Sequence, residues 1–551
     1  MRGRKRYVIW PLMAILVALT VACGLTRRDG PPRNAVVVEV TANTSLSHWL
    51  EQAIADFNAE RRETTAGKPI YVTLDAVESG QAASRMADGG SLPALWIPDD
   101  VVWGNQLANQ GQDNFQGDCV SVAESPLVIA MWRPVAEALG WPGRSLGWLD
   151  VGSLAADPSA WDYYSGGQFG DRLRLSHTHP GLSGAGASTL LAIIHAAKSA
   201  QEAVGVDDIQ EPIVQASVSA FEASVSWFSS STDDLGRTMK ERGVEYLGAA
   251  VMYESTVVSY GDGDPSIVPI YPFEGTFVAT HPACVNGNAE SQTQEAARLF
   301  RDYLLEEPTQ RLAVAHGLRP VNAAVTPEAP LDRSRHVDLA QPEIVFGAPS
   351  VATIYAVQDL WQSARKDVNL VMLLDTSGSM SGSKMTSARE AAIQFVQQMG
   401  DDDFITIIAF ANEPTVVIRH ELVGPAREQI VEALRGLQAN GYTTLYDAIG
   451  EGAAVIAETD SSQTSNAMVV LSDGMDTSSY VYSFDQSLIE MAASHDTTVF
   501  TIAYGSDADE DVLSELALKA HGNFYQGDEA SIAAIYEEMS AAFGGSAGIG
   551  R

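Results

Sequence analysis

The sequence predicts an α/β fold along its whole length, and three observations carry that prediction. Apolar runs alternate with amphipathic helical stretches, the pattern of parallel sheets. The alternation breaks at a proline-rich stretch from Pro327 to Pro349 and resumes from Asp367 with a more regular beat. Val371-Met372-Leu373-Leu374 is a continuous apolar run that ends in Asp375-Thr376-Ser377-Gly378-Ser379. A buried parallel strand therefore delivers an acid and two hydroxyls at its carboxyl end, where ligands gather in open α/β sheets. Dividing the 551 residues by a typical domain gives roughly three to four units, and three lobes are expected.

At the N-terminus, Met1-Arg2-Gly3-Arg4-Lys5-Arg6 precedes an apolar run from Tyr7 to Ala22 and then Cys23. A charged segment, an apolar segment and a small-residue exit make an export signal, and the run is short for a membrane span of about 20 residues. Leu19-Thr20-Val21-Ala22-Cys23 resembles the lipobox of bacterial lipoproteins, with Thr20 standing where that family places leucine. The resemblance implies a signal peptide at 1–22, lipidation of Cys23, a tether at 23–34 and anchoring at the outer face of the cell membrane. Formal charge is −36. Nucleic acid is thereby excluded as a partner, because phosphate binding needs clustered Lys and Arg. Beyond Cys23 the cysteines are Cys119 and Cys284, and an oxidising compartment favours a disulfide between them.

In the first large region, 35–345, Ala35 to Val40 reads as a strand. The next segment places Trp49, Leu50, Ala53, Ile54 and Phe57 on one helical face, capped by Thr44 or Ser45. Tyr71 to Val77 is a strand ending in Glu78-Ser79-Gly80-Gln81, and Ala94 to Ile97 one ending in Pro98-Asp99-Asp100. Ser125 to Trp132 is another. Ser183-Gly184-Ala185-Gly186 precedes a helix over 187–200, and small residues there leave backbone N–H groups facing a ligand, with the helix dipole favouring an anion. His177 and His179 share a strand face, but Pro180 follows and no third ligand is apparent, so a metal pair is not expected. Trp96, Trp103, Trp132 and Trp141 read as apolar mass.

Tyr271-Pro272-Phe273-Glu274-Gly275-Thr276, His281-Pro282, Ala296-Ala297-Arg298-Leu299-Phe300 and Gly317-Leu318-Arg319-Pro320 follow one another in an order that resembles bacterial extracellular solute-binding proteins serving ABC importers. That resemblance implies a two-lobed, periplasmic-binding-protein-like module closing on a small solute from strand-end loops. Here those would be Thr44, Ser45, Ser79, Gly80, Asp99, Ser183, Gly184, Tyr253 and Glu254.

The prolines at 327, 330, 342 and 349 mark a boundary. A linker with a helix over 351–365 follows, with Ile354, Val357, Leu360 and Trp361 at helical spacing and expected to pack on the domain after it. From 367 to 545 strand and helix alternate as in a doubly wound domain, and 546–551 is a tail. Strands fall at 369–375, 404–410, 467–471, 498–504 and 523–526. Asp375-x-Ser377-x-Ser379, Thr443 in Gly441-Tyr442-Thr443-Thr444, and Ser472-Asp473-Gly474 resemble the three segments of the metal-ion-dependent adhesion site (MIDAS) of von Willebrand factor type A domains. The resemblance implies Mg²⁺ or Mn²⁺ held by Ser377, Ser379 and Thr443, with Asp375 and Asp473 neutralising it largely through water. A partner protein's Asp or Glu would then complete the shell. Tyr442 replaces a family glycine. Neutral hydroxyls suit a hard cation and leave it much of its charge.

No catalysis is expected, since the sequence has no P-loop, no His-Glu-x-x-His and no Gly-x-Ser-x-Gly at a strand-to-helix elbow. The expected protein is an exported, lipid-anchored binding protein with an adhesion-type domain. The alternative is an importer's substrate receptor in which that domain is a scaffold for the permease-facing module.

Overall fold

The structure is a computed structural model that describes residues 30–461 and 463–544. The signal segment, Cys23, most of the tether and the tail lie outside the described residues. Among the described residues no helix is long and apolar enough to cross a membrane.

The first lobe is built on β1 (Val36–Ala42), β2 (Ile70–Ala76), β3 (Leu95–Ile97) and β4 (Cys119–Ser121). Chain then enters the second lobe, with β5 (Ser125–Trp132), β6 (Leu175–Thr178), β7 (Val225–Ser229), β8 (Ala249–Tyr253), β9 (Ile267–Ile270) and β10 (Val278–Ala279), and returns to the first as β11 (Pro282–Val285). The first sheet runs β2-β1-β3-β11-β4, and the second β10-β5-β8-β6-β7 with β9 on β5. Two crossings between sheets define a two-lobed α/β module, and its parallel strands are buried because helices cover them. Cys119 on β4 is disulfide-bonded to Cys284 on the adjacent antiparallel β11.

Local chemistry moves several expected boundaries. Neither Thr44 nor Ser45 caps the first long helix. Asn43 Oδ1 accepts from the Ser45 N–H at 3.0 Å and closes a 3₁₀ turn, Thr44–Leu46, ahead of the helix Ser47–Glu60. An Asn side chain can replace a backbone acceptor two residues on in an Asx turn, as here. The helix after β6 starts at Gly184, earlier than expected, and runs to Lys198. Trp96, Trp103 and Trp132 are core, and Trp141 is half-buried. His177 is buried against Glu222 Oε1 at 3.0 Å, and His179 Nδ1 accepts from the Gly181 N–H.

Between 327 and 349 regular structure is limited to the 3₁₀ turn Arg333–Arg335. The helix Val351–Ala364 then buries Ile354, Val357, Leu360 and Trp361, but in the core of the lobes rather than in that of the domain after it. Trp361 Nε1 donates to Glu222 Oε2 at 2.9 Å, and Gln358 Nε2 reaches the Pro180 carbonyl.

The third sheet contains β12 (Asp367–Asp375), β13 (Phe404–Phe410), β14 (Pro414–Leu422), β15 (Thr464–Ser472), β16 (Thr498–Tyr504) and β17 (Phe524–Gly527), in the order β14-β13-β12-β15-β16-β17. All neighbours are parallel except β13 and β14. Leu370 to Leu373 are fully buried between helical layers. This domain touches both lobes, through Arg172 Nη1 to Asp496 Oδ2 at 2.7 Å, Tyr246 OH to Asn523 Oδ1 at 3.2 Å, and Gln81 Nε2 to Glu537 Oε1 at 3.2 Å.

A pH dependence arises at that contact. Glu538, on the helix Ile532–Ala542, accepts from Tyr525 OH at 3.2 Å. Burial and then the charge of Asp234 push its carboxyl up to about 7, against the pull of Tyr525 and Arg237. The fold therefore favours protonated Glu538, and this contribution to stability is lost as pH rises from about 4.5 through about 7. Unfolding free energies compared across that window should fall by about 2 kcal/mol more in the natural protein than in Glu538→Gln, allowing for partial exposure. Equal slopes would contradict the assignment.

Candidate metal centre and interlobe site

The strand order of the third sheet reverses at β12, so a crevice opens between the carboxyl ends of β12 and β15. Asp375 ends β12 and Ser472 ends β15. Ser472 Oγ donates across the crevice to Asp375 Oδ2 at 2.7 Å, while Asp375 Oδ1 accepts from the Ser377 N–H at 2.8 Å. Burial raises the Asp375 pKa above its ordinary value, and the hydrogen bonds from Ser377 and Ser472 draw it back.

A 3₁₀ turn, Gly378–Met380, anchored by buried Met380, folds the next loop back over the crevice. It leaves Ser377 Oγ and Ser379 Oγ 2.8 Å apart, and Ser379 Oγ donates to Asp473 Oδ1 at 2.7 Å. The third segment is tied in by backbone: the Gly378 N–H donates to Gly441 O at 3.0 Å. A Cβ on Gly378 would lie 3.3 Å from that oxygen, so a side chain there would press on the contact. Thr443 is fixed by its own N–H donating to Thr477 Oγ1 at 2.9 Å and by the Thr477 and Ser478 N–H groups on its carbonyl. Its Oγ1 lies 4.0 Å from where a Cβ on Gly474 would stand, beside Asp473.

Asp375, Ser377, Thr443 and Asp473 are buried, whereas Ser379 is exposed, so the cluster opens to solvent on one side. The five residues singled out in the sequence thus lie around one crevice. Three further residues take part that were not among the five, Ser472 being quoted in the motif without a role. Lys384, in the first turn of the helix Ser383–Gln398, places Nζ 2.7 Å from Asp473 Oδ2. Ser472 braces Asp375. Asp447 accepts the N–H groups of Tyr480, Val481 and Tyr482 at 2.9–3.0 Å and so shapes the loop after Asp473. Ser472 was signalled by its place in the motif and Lys384 by its position at a helix start beside it; Asp447 had no such signal.

The donor set fits a small hard dication. Adjacent oxygens around Mg²⁺ are about 2.9 Å apart when its bonds are near 2.05 Å, close to the spacing of the two serine hydroxyls. Among the described residues no group of three or more His, Cys, Asp or Glu is placed to hold an ion, so a thiolate or imidazole site is not the alternative. Two carboxylates against one ammonium leave a single negative charge.

The second predicted set divides. Thr44, Ser79, Asp99, Ser183, Gly184 and Tyr253 do face the seam between the lobes. Gly80 sits where the lobes touch: a Cβ there would be 2.7 Å from Gly181 O. Ser45 turns to Asn43. Glu254 lies apart, paired with Arg319 at 2.7 Å and accepting from Tyr271 OH. At the centre is a residue the sequence reading passed over as part of a turn, Glu78.

Comparison with known proteins follows this division. The family described as "Bacterial extracellular solute-binding protein" matches residues 38–319, and "von Willebrand factor type A domain" matches 369–538. An uncharacterized protein, sll0103, of Synechocystis sp. is 28% identical over 162 residues, 29% of this chain and 37% of that protein. Inter-alpha-trypsin inhibitor heavy chain H3 of Mus musculus is 24% identical over 186 residues, 31% of this chain and 21% of that protein. The chain thus spans well under half the length of either relative. The solved structure of the sulfate-binding protein SubI from Mycobacterium tuberculosis H37Rv is similar at 18% identity, with a TM-score of 0.40, covering 58% of this chain and 96% of that one. Matched by its family over just over half of its length, the chain belongs to the bacterial extracellular solute-binding proteins and carries a von Willebrand factor type A domain behind that module.

Proposed function

We propose that this is an exported, non-enzymatic binding protein, lipid-anchored through Cys23, whose C-terminal domain recognises a carboxylate of a partner protein through Mg²⁺ or Mn²⁺. The domain division that accompanies this reading is 35–345, 346–366 and 367–545. The family implies an extracytoplasmic location. The observation that carries the reading is the chain of oxygens at an open crevice, with Ser379 Oγ 2.8 Å from Ser377 Oγ and 2.7 Å from Asp473 Oδ1.

A bound dication would supply the positive charge and the vacant position that an acidic side chain needs. The chain's own residues set how much charge remains. Lys384 neutralises half of the carboxylate charge from the outer oxygen of Asp473, so a dication would stay net positive and attract a third carboxylate. Tyr442 and Met475, both exposed, stand one residue from Thr443 and two from Asp473; Tyr480 and Val481 lie exposed farther along the same loop. Exposed aromatic and apolar side chains beside a polar centre are the usual composition of a protein-binding surface.

The test is retention of peptides carrying a single Asp or Glu on the immobilised full-length chain in Mg²⁺. Retention should require both the acid and the ion, and vanish with EDTA or with Asn or Gln in place of the acid. EDTA-insensitive or acid-independent retention would contradict the reading. A second reading, receptor of an ABC importer, is supported by the solute-binding fold and needs lobes that open to admit a solute.

A further inference from the structure

The seam between the lobes is already filled by the protein itself. Glu78 directly precedes the helix Ser79–Ala87 of the first lobe, without capping it through its side chain, and is 1% exposed. Its Oε2 accepts from Asn43 Nδ2 at 3.2 Å, and its Oε1 from Thr44 Oγ1, both in the first lobe. From the second lobe, Thr232 gives Oε1 its N–H at 3.1 Å and its hydroxyl at 3.2 Å. Thr232 opens the helix Thr232–Arg242, so its N–H is one that the helix leaves unpaired and that favours an anion. Every donor is neutral, and together they form a nest for one small anion.

Asp99 repeats the arrangement beside it. Its carboxylate takes Trp103 Nε1 from its own lobe at 2.8 Å and Tyr253 OH from the other at 2.7 Å. A Cβ on Gly184 would lie 1.9 Å from Asp99 Oδ2, so glycine lets the second lobe close on it. Backbone seals the edge, where the Gln81 N–H donates to Leu182 O at 2.9 Å. A void of about 30 Å³ remains beside Asp99, Gly184 and Tyr253. That is room for water, against about 300 Å³ or more in ordinary small-molecule sites.

We infer that Glu78 is an internal ligand: its carboxylate occupies the seat of a small carboxylate or tetrahedral oxyanion and holds the two lobes closed without a solute. A free anion must displace a tethered one, whose effective concentration is set by the chain and not by the medium. The module then acts as a rigid platform between the membrane and the C-terminal domain, which grips both lobes. This inference is independent of the metal site.

The experiment compares the full-length chain with Glu78→Ala and Glu78→Gln by thermal unfolding and small-angle scattering, with acetate, sulfate or phosphate added. In the natural protein, unfolding temperature and radius of gyration should not respond to these anions at about 10 mM. Glu78→Ala leaves four donors facing a carboxylate-sized hole, and should unfold about 5–10 °C lower and recover saturably with acetate. Glu78→Gln, the variant to use if Glu78→Ala does not fold, puts an amide NH₂ against donors and should show a larger radius of gyration. Stabilisation of the natural protein by any of the anions, indifference of Glu78→Ala to acetate, or a Glu78→Gln as compact and stable as the natural protein would overturn the inference.

Discussion

Asp375→Asn weakens Mg²⁺ and Mn²⁺ binding about 10- to 100-fold, the usual cost of removing a group that orients and balances a metal's ligands. The substitution keeps the side chain's shape. One amide oxygen still accepts from the Ser377 N–H, and the Ser472 hydroxyl, which donates now, can rotate to accept from the amide. Packing is unchanged, so the unfolding temperature without metal should hold or rise, because a buried charge has been removed. Lost affinity with retained stability separates charge from structure. Calorimetric titration of the variant reads the first and thermal unfolding the second; unchanged metal affinity would contradict the metal assignment.

Asp403→Ala destabilises the C-terminal domain by about 3–5 kcal/mol, as breaking a buried ion pair from one side does. Asp403 and Arg365 are 2% and 4% exposed at their side chains. Both carboxylate oxygens take the guanidinium, Oδ1 from Nη1 at 3.0 Å and Oδ2 from Nη2 at 3.2 Å, and they also accept from the Val368 and Gly400 N–H groups at 2.9 and 2.8 Å. Alanine strands a buried guanidinium and two amides at once. Arg365 directly follows the helix Val351–Ala364 and precedes β12, so the loss falls where the domain joins the lobes. Chemical denaturation measures it, and a change below about 1 kcal/mol would show that Arg365 finds water instead.

How much the sequence revealed depended on the range of the interaction. Strands β5, β13 and β16 match their expected limits, because a strand buried on both faces is a closed apolar run bounded by polar residues. Edge strand β14 was missed: Pro414–Leu422 buries only Ile418, and its apolar run Val416-Val417-Ile418 is too short to mark a strand buried on both faces. The convergence of Asp375, Ser377, Ser379, Thr443 and Asp473 on one crevice was legible because each of their segments sits at a strand end or helix start, which a motif preserves. Its brace was not, since Lys384 and Asp473 meet across 89 residues. Periodicity in Val351–Ala364 identified the buried face but not its partner: packing on the domain after it was expected, and the lobes bury it instead. Glu78 illustrates the same limit. Within its turn it is an ordinary polar residue, and only the approach of Thr232, 154 residues away, turns it into the centre of the seam.

A dication held by Ser377, Ser379 and Thr443, with Asp375 and Asp473 behind them, is the proposed centre of partner binding. Calorimetric titration of Mg²⁺ and then Mn²⁺ into the EDTA-stripped full-length chain tests it most directly, beside the Ser377→Ala/Ser379→Ala double variant. One bound ion per chain in the natural protein and none in the double variant is the predicted result. Absence of binding to the natural protein, or equal binding to both, would contradict it.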